Sequence, residues 1–409
     1  MRFLSAHDSF SAPPHLRSSA PIIIMSAAPI DRKFLIMLGA LVALGLVMLI
    51  SASGPIAIQK FGDAYWYVRH QIFYGLLPGA VLFLLLSHID YRALRRLARP
   101  LFFGSLVLLL LVFVPGIGAD WGTSKSWIGI GGFSLQPAEI VKLTLLMFLA
   151  DWLARRGEGE LSDLRRGLWP FLLSLGSVAI LIILQPDLGS LIVVVALAVF
   201  VFFLAGAPWS HLAGLTAAGV VALGILIKSA PYRAARLMTF MHPELDPQGI
   251  GYHINQSFLA IGSGGLFGLG LGHSRQKYMY LPEVIGDSIF AVVAEEFGFI
   301  LTVAVLALMV AFILRIIKVA RNAPDSFGFL LVAGAAGWLA SQILLNVGSM
   351  IGLFPMTGLP LPFVSHGGTA LMVTLSAMGI VANVTRQSGG DVNTPRVRAR
   401  LESTGRTLR

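Results

Sequence analysis

The fold is decided by residues 280–314, "YLPEVIGDSIFAVVAEEFGFILTVAVLALMVAFIL". From residue 288 onward this stretch is apolar over more than the roughly 20 residues that a membrane-spanning helix requires. It nevertheless carries Asp287 at its start and Glu295 and Glu296 inside it. Because a carboxylate at mid-depth in hydrocarbon costs on the order of 2.5 kcal/mol or more, each acid needs an internal partner or a function.

The composition is that of an integral membrane protein. Of 409 residues, 56% are hydrophobic and 12% are charged, and the mean hydropathy is +0.80. These values lie far outside the range of soluble globular domains. The chain has no cysteine, which excludes a disulfide framework, a thiolate nucleophile and a Cys-ligated metal site.

Apolar runs bounded by turn signals predict an all-α polytopic membrane protein, a bundle of about ten transmembrane helices. The runs lie near 34–52, 70–87, 101–115, 138–153, 170–184, 189–205, 211–228, 288–314, 327–350 and 366–384. A large extracytoplasmic loop is expected between helices 7 and 8. The transmembrane domain should extend over 33–386.

The distribution of the basic residues indicates how the chain is oriented across the membrane. Most of the 30 Lys and Arg lie in both termini and in alternate loops. The loop cations are Arg92, Arg95, Arg96, Arg99, Arg155, Arg156, Arg165, Arg166, Arg315, Lys318 and Arg321. By the positive-inside rule this face is cytoplasmic, with both termini inside. The net charge of +10 is therefore a topology signal and does not indicate a nucleic-acid binder.

Both ends read as cytoplasmic tails. Residues 1–32 are rich in Ser, Pro and Ala without a helical period, and 387–409 combine arginines with Gly, Pro and Ser. The first tail is predicted to be disordered and the second flexible. The first long apolar run is predicted to be an uncleaved signal anchor, with Met25 an alternative translation start.

Two long extracytoplasmic segments, 116–137 and 229–287, are expected to carry function. The larger segment holds cations on the face where the positive-inside rule disfavours them: Arg233, Arg236, Arg275 and Lys277. This placement suggests an anionic ligand such as a diphosphate. The alternative is pairing with lipid phosphates or with the acids of the same segment, Glu244, Asp246 and Glu283.

The segment "AIGSGGLFGLGLGHS", 260–274, is glycine-rich. Its spacings fit neither GxGxxG nor GxxxxGK[ST], and no strand is predicted before it, so a nucleotide fold is not supported. Glycine here predicts a close approach of the backbone to a ligand or to a neighbouring helix, or tight packing alone.

Asp287 follows Gly286 at the water-facing start of a helix, where N-capping is the simplest role. A carboxylate beside a basic extracytoplasmic loop is also suited to accept a proton from an attacking sugar hydroxyl. Glu295 and Glu296 lie about two turns deeper. At least one of them must face the bundle interior and pair with a cation or a polar network.

Glu139 and Lys142 are three residues apart, on one face of the fourth predicted helix. They are candidate partners for the deep glutamates, and an internal ion pair is preferred over a catalytic role. Asp187 in "QPDLGS" is expected to cap a helix. The segment 352–368, "GLFPMTGLPLPFVSHGG", should be irregular and buried in protein.

These motifs, in this order, resemble the SEDS family of shape, elongation, division and sporulation proteins over about 33–386. The matching motifs are "WIGIGGFSLQPAEIVKL", "LQPDLGS", "YRAARLMTF", "GYHINQSFLAIGSGGLFGLGLG", "YLPEVIGDSIFAVVAEEFGF" and "GLFPMTGLPLPFVSHGG". The resemblance implies a peptidoglycan glycosyltransferase that polymerises lipid II, the undecaprenyl-diphosphate-linked disaccharide pentapeptide. It also implies a class B penicillin-binding protein and other divisome membrane proteins as partners, with no cofactor and an open question over divalent cations.

Carried over by motif, the resemblance makes Asp287 the essential catalytic residue and Trp127 a substrate-binding residue. Glu139 and Lys142 match the QPxExxK motif. The chain departs from common family patterns in "VIGD", where many members have "HTD". It also has Ser126 where an arginine often precedes the tryptophan, and His366 where "SYGG" is commoner. The segment "GHSRQKYMYLPE" is more similar to the division branch than to the elongation branch. The alternatives are a lipid II flippase and a non-catalytic scaffold that recruits a penicillin-binding protein.

Overall fold

The computed structural model describes residues 29–121, 124–130, 133–242, 246 and 249–388. The two predicted tails lie outside the described residues except for 29–32 and 387–388. Glu244, one of the acids considered as a partner for the loop cations, is also outside them.

Fourteen α-helices run through the described residues. They are α1 (Arg32–Phe61), α2 (Trp66–Gln71), α3 (Leu77–His88), α4 (Leu94–Leu111), α5 (Pro137–Ala154), α6 (Glu158–Ser162), α7 (Trp169–Leu184), α8 (Leu188–Leu204), α9 (Trp209–Lys228), α10 (Pro231–Met241), α11 (Ile250–Ser263), α12 (Ile289–Arg321), α13 (Ser326–Met350) and α14 (Gly368–Ser388). π-Helical turns at Ile72–Leu76 and Leu164–Leu168 continue into α3 and α7, and a 3₁₀ turn at Tyr91–Ala93 precedes α4.

Each of the ten predicted apolar runs coincides with a helix. In the described part of the chain, seven helical segments are long and apolar enough to cross a membrane, and α8 is a shorter apolar helix. The seven are Arg32–Phe61, Trp66–His88, Leu164–Leu184, Trp209–Lys228, Ile289–Arg321, Ser326–Met350 and Gly368–Ser388. The remaining two runs are α4 and α5, which carry more charge. The prediction of an all-α polytopic membrane protein is confirmed.

The helices differ in how much protein surrounds them. α13 and α14 lie at the centre, where α13 packs on α5, α8 and α12, and α14 packs on α3. By contrast, α9 has Leu212 as its one buried residue, and it contacts α8 and α10. Asp187 caps α8, since its Oδ1 accepts from the Ser190 amide at 2.9 Å, as predicted.

A small antiparallel sheet lies between α4 and α5. Its strands are β1 (Gly118–Trp121), β2 (Ser124–Ile130) and β3 (Phe133–Leu135), in the order β1-β2-β3. The all-helical prediction missed this hairpin pair. In the register, Ile128 pairs with Gly118 on one side and with Leu135 on the other, and its buried side chain anchors the sheet.

The second long segment contains α10, α11 and a non-helical stretch from 264 to 288. The segment 351–367, between α13 and α14, is also non-helical. It is nevertheless buried, with Met356, Leu359, Leu361 and Phe363 each at most 6% exposed. This confirms the prediction of an irregular segment enclosed by protein.

Helix α12 is broken at Gly298, whose backbone has φ 71° and ψ −179°. The glycine-rich segment fills the break. The Leu269 and Gly270 amides donate to the carbonyls of Glu295 and Glu296, both at 3.0 Å. On the other side of the break, the Phe299 amide donates to the Gly265 carbonyl at 2.9 Å, so backbone groups that the break frees find partners in protein.

This contact requires glycine on both sides. A Cβ at Gly298 would lie 2.1 Å from the Gly268 nitrogen, and a Cβ at Gly268 would lie 2.2 Å from the Glu296 carbonyl oxygen. Both residues also have positive φ, a conformation that L side chains avoid. The glycine-rich segment therefore serves a close approach between backbone and helix.

Candidate active site

The loop that carries Asp287 is fixed through three consecutive carbonyls. Those of Ile285, Gly286 and Asp287 accept hydrogen bonds from the His366 amide at 2.8 Å, the Ser365 hydroxyl at 2.5 Å and the Asn346 side-chain amide at 2.8 Å. The donors belong to α13 and to the buried segment before α14. The position of Asp287 is thus set by two elements distant from it in the chain.

The Asp287 carboxyl group is not a helix cap. The N-cap of α12 is Ser288, and no side-chain cap hydrogen bond forms there. Among the described residues, the buried Oδ1 of Asp287 has no hydrogen-bond partner. Burial raises the pKa of Asp287 to about 7, and the charge of Glu283 adds to the rise. Backbone amides and Arg236 oppose it, and the resulting carboxyl group can exchange a proton near neutral pH.

His253 on α11 contacts the residue that follows Asp287. Its Nε2 is 2.6 Å from the hydroxyl oxygen of Ser288, the residue after Asp287. Burial lowers the pKa of His253 to about 4, and the charge of Arg236 lowers it further. The imidazole is therefore neutral at physiological pH, and its bond to Ser288 attaches α11 to the start of α12.

The four predicted ligand-binding cations do not lie together. Arg236 on α10 donates to the Met356 carbonyl at 3.3 Å, and its charge acts on both Asp287 and His253. Arg233, one turn before it, is buried and donates to the Leu226 carbonyl at 3.2 Å. Arg275 is exposed. Of the four cations, Arg236 is thus the one whose charge acts on Asp287, and Arg275 lies at the surface.

Lys277 requires a correction. It was grouped with the ligand-binding cations, but its side chain is buried, and Nζ lies 2.9 Å from Glu296 Oε1 and 3.0 Å from the Ser51 hydroxyl. Its charge is already compensated inside the protein. The alternative prediction, that such a cation pairs with an acid, holds for Lys277, although the acid is Glu296.

The deep glutamates are held by the loop above them. Glu295 accepts from the Ser274 hydroxyl at 2.5 Å and from the Arg275 amide at 2.9 Å. Glu296 accepts from Ser51 on α1 at 2.7 Å, besides the bond from Lys277. The expectation that Glu139 and Lys142 would be their partners is wrong. The turn at 274–277 folds back onto α12 and supplies the donors instead.

Glu139 and Lys142 form the predicted internal ion pair, at 2.7 Å and fully buried. Lys142 also donates to Gln342 Oε1 on α13 at 3.0 Å. Gln342 in turn donates to the Pro360 carbonyl at 2.9 Å. The pair therefore links α5 to α13 and to the buried segment that supports Asp287.

Trp127 is half-buried in β2, opposite Ala119 in the register. The sheet is fastened to α14, because the Thr369 hydroxyl donates to the Ser134 carbonyl at 3.3 Å and accepts from the Gln136 amide at 3.2 Å. The substrate-binding role of Trp127 stays a prediction. His366, which precedes α14, has a buried Nε2 without a hydrogen-bond partner among the described residues.

A largely apolar cavity of about 340 Å³ opens between α11, α12 and α13. It is lined by Ile261, Phe290, Phe299, Leu306 and Val347, among others. Phe290, which lines the cavity, is three residues after Asp287 in the chain. In the described ranges, no group of three or more His, Asp or Glu side chains is arranged to hold a metal ion.

Residues 31–389 match the family model FtsW/RodA/SpoVE, described as cell cycle protein. This chain is a member of that family. The protein named Stage V sporulation protein E, of Bacillus subtilis (strain 168), is 39% identical to it over 348 residues, which cover 85% of this chain and 94% of that protein. The protein named Probable peptidoglycan glycosyltransferase FtsW, of Geobacter metallireducens, is 38% identical over 360 residues, covering 88% and 96%.

Two solved structures also match this chain. A chain in the structure described as "Structural coordination of polymerization and crosslinking by a peptidoglycan synthase complex" matches with a TM-score of 0.72 and 31% identity, covering 88% of this chain and 98% of that chain. The crystal structure of the rod shape determining protein RodA of Thermus thermophilus matches with a TM-score of 0.64 and 32% identity, covering 88% and 97%. The present chain is therefore an FtsW-like SEDS protein, and it shares the polytopic fold of these solved structures.

Proposed function

We propose that this chain is a peptidoglycan glycosyltransferase that polymerises lipid II at the outer face of the cytoplasmic membrane, with Asp287 as the general base. The observation that carries the proposal is the Asp287 carboxyl group, whose main chain is fixed and whose buried Oδ1 has no partner among the described residues. The name of the relative, probable peptidoglycan glycosyltransferase FtsW, supports this activity, and the description of the family as cell cycle protein supports a role in division.

In the proposed reaction the 4-hydroxyl of one lipid-linked GlcNAc attacks the anomeric carbon of MurNAc on a second molecule. The new C–O bond forms as the bond to the lipid diphosphate breaks, and the diphosphate leaves with the bonding electron pair. Asp287 accepts the hydroxyl proton. A pKa of about 7 suits this task, because a base works best when its pKa lies near the operating pH.

Arg236 is the cation best placed to stabilise the leaving diphosphate. It lies on α10, and its charge acts on the Asp287 carboxyl group. A guanidinium there favours the reaction in so far as it binds the departing diphosphate more strongly than the substrate. Arg233 lies one turn away on the same helix. The apolar cavity between α11, α12 and α13 would take part of the polyprenyl chain.

The transporter alternative needs a polar path through the bundle. Its four candidate residues fall into two separate networks, Glu139 with Lys142 and Gln342, and Glu295 and Glu296 with Ser274 and Lys277. In both networks the carboxylates accept hydrogen bonds from within the protein. This arrangement favours the glycosyltransferase. Both termini would face the cytoplasm, and a class B penicillin-binding protein would be the partner, as the match to a synthase complex suggests.

The test is polymerisation of purified lipid II in detergent with the cognate penicillin-binding protein. Asp287→Ala and Asp287→Asn are expected to abolish glycan formation, because loss of a general base costs about two to four decades in rate. Both proteins should remain folded and bound to the partner. Near-wild-type polymerisation by either folded variant would refute the assignment of Asp287.

A further inference from the structure

The side chain of Asn346 joins α13 to two loops at once. Its Nδ2 donates to the Asp287 carbonyl at 2.8 Å and to the Leu359 carbonyl at 2.7 Å, and the residue is 1% exposed. An amide group has two N–H donors, so each carbonyl receives its own hydrogen. The two carbonyls also fix the orientation of the amide group, because in the flipped orientation its oxygen would face two other acceptors.

This bond differs from the two that precede it along the loop. The carbonyls of Ile285 and Gly286 are held by residues 366 and 365, which belong to another non-helical segment. The carbonyl of Asp287 is held by a helix of 25 residues in the centre of the bundle. Sites supported by a rigid helix are more precise than sites supported by loops. Asn346 thus connects the main chain of Asp287 directly to α13.

Precision matters here because a general base must lie within about 2.6–3.2 Å of the proton it accepts. A displacement of about 1 Å can cost roughly a hundredfold in rate. The carbonyl of Asp287 is in the peptide unit that leads to Ser288, so a bond to it restricts the direction in which the Asp287 side chain leaves the backbone. A change at Asn346 would therefore reach the reaction through Asp287.

We propose that Asn346 is a positioning residue for Asp287, holding the carboxyl group where the attacking hydroxyl of the acceptor sugar arrives. The inference rests on the proposed function. It assigns to α13 a role in catalysis through one hydrogen bond to the main chain of the base.

The fold should tolerate loss of this bond. Gln342, one turn earlier on α13, donates to the Pro360 carbonyl next to Leu359 and is itself bonded to Lys142. The buried segment thus keeps an attachment to α13 when Asn346 is replaced. The Asp287 loop keeps its bonds to residues 365 and 366. A change at Asn346 should loosen Asp287 more than it loosens the bundle.

The experiment measures lipid II turnover by the full-length protein with its penicillin-binding partner, as a function of substrate concentration and pH. Asn346→Leu keeps the size of the side chain and removes both donors. Asn346→Ser leaves room for a water molecule to satisfy the carbonyls, so it covers the case in which the leucine variant does not fold. Ser341→Ala, on the same helix, is the matched control, because its hydroxyl bonds within α13 to the Trp338 carbonyl.

We expect both Asn346 variants to lower kcat by about 10–100-fold with KM changed less than about threefold. The midpoint of the pH–rate profile should move to lower pH, because a loosened loop exposes the carboxyl group and reduces the effect of burial on its pKa. If Asn346 only stabilised the fold, replacing it would lower the unfolding temperature and leave both kcat per folded molecule and the midpoint of the pH–rate profile unchanged.

Wild-type kcat and midpoint in the folded variants would overturn the inference, and so would a rise in KM alone, which would indicate a substrate contact. Asp287→Ala in the same assay separates the two proposals. If it is inactive while the Asn346 variants match wild type, Asn346 is not a positioning residue and the proposed function stands. If it is active, the assignment of Asp287 itself fails.

Discussion

The ammonium group of Lys277 lies 2.9 Å from the carboxylate of Glu296, and both side chains are buried. The pair connects the turn at 274–277 to α12, close to the break at Gly298. Ser51 on α1 bonds to both partners, so three elements meet at one charge pair. Lys277 and Arg275, two residues apart, therefore lie in different environments, one buried in a charge pair and the other exposed.

Lys277→Ala is expected to destabilise the protein by about 3–5 kcal/mol, because Glu296 would remain as an uncompensated buried charge. Arg275→Ala should leave stability unchanged, since that side chain is exposed. Thermal unfolding of the purified variants in detergent measures both effects. The double variant Lys277→Met, Glu296→Gln should be more stable than Lys277→Ala. Equal unfolding temperatures for the Lys277 and Arg275 variants would contradict the buried pair.

Lys142→Ala should likewise impair folding, because it leaves Glu139 without its cation in the bundle interior, at a cost of about 3–5 kcal/mol. The variant Glu139→Gln, Lys142→Met removes both charges and is expected to unfold at a higher temperature than the single variant. The measurement is again thermal unfolding in detergent. An unchanged transition for Lys142→Ala would show that the pair contributes nothing to stability.

The pH dependence of turnover should report the pKa of Asp287. The base form exists above this pKa of about 7, so kcat/KM should rise as pH increases through that region. Glu283 raises the pKa of Asp287 and Arg236 lowers it. Glu283→Gln is therefore expected to move the midpoint to lower pH, and Arg236→Gln to higher pH, each by up to about one pH unit. Shifts in the same direction would exclude this electrostatic account.

Gly298→Ala is expected to prevent correct folding. The added Cβ would lie 2.1 Å from the Gly268 nitrogen, and the backbone conformation at position 298 is unfavourable for alanine. Expression level and thermal unfolding are the measurements. Gly219→Ala is the control, because α9 has open space at that position and alanine favours a helix by up to about 1 kcal/mol. Comparable behaviour of the two variants would argue against the close contact.

The helices could be predicted from the sequence because hydrophobic length and charged loops are local signals. The irregular segment before α14 was predicted for the same reason, since its prolines and glycines exclude a continuous helix. The small sheet was missed because its strands are short and separated by glycines. At the site, the Glu139–Lys142 pair could be predicted from its spacing along one helix face, and the catalytic role of Asp287 stays a prediction.

Partners across the bundle could not be predicted. Glu296 meets Lys277 because the glycine-rich segment turns the chain back onto α12, and no periodicity records that turn. Asn346 gave no signal either, since a single asparagine in an apolar run is also compatible with a structural hydrogen bond between helices. The contact of His253 with Ser288 could not be predicted either, because it depends on how α11 packs.

The break in α12 also bears on how the chain enters the membrane. A helix interrupted in hydrocarbon exposes amide and carbonyl groups until other backbone satisfies them. Here the satisfying groups, residues 265–270, precede the break in the chain. They leave the ribosome before residues 295–300, so the docking surface for the broken helix is already synthesised when that helix emerges. Membrane insertion can thus proceed from the amino to the carboxyl end, and these polar groups do not remain without hydrogen-bond partners until a later segment is synthesised.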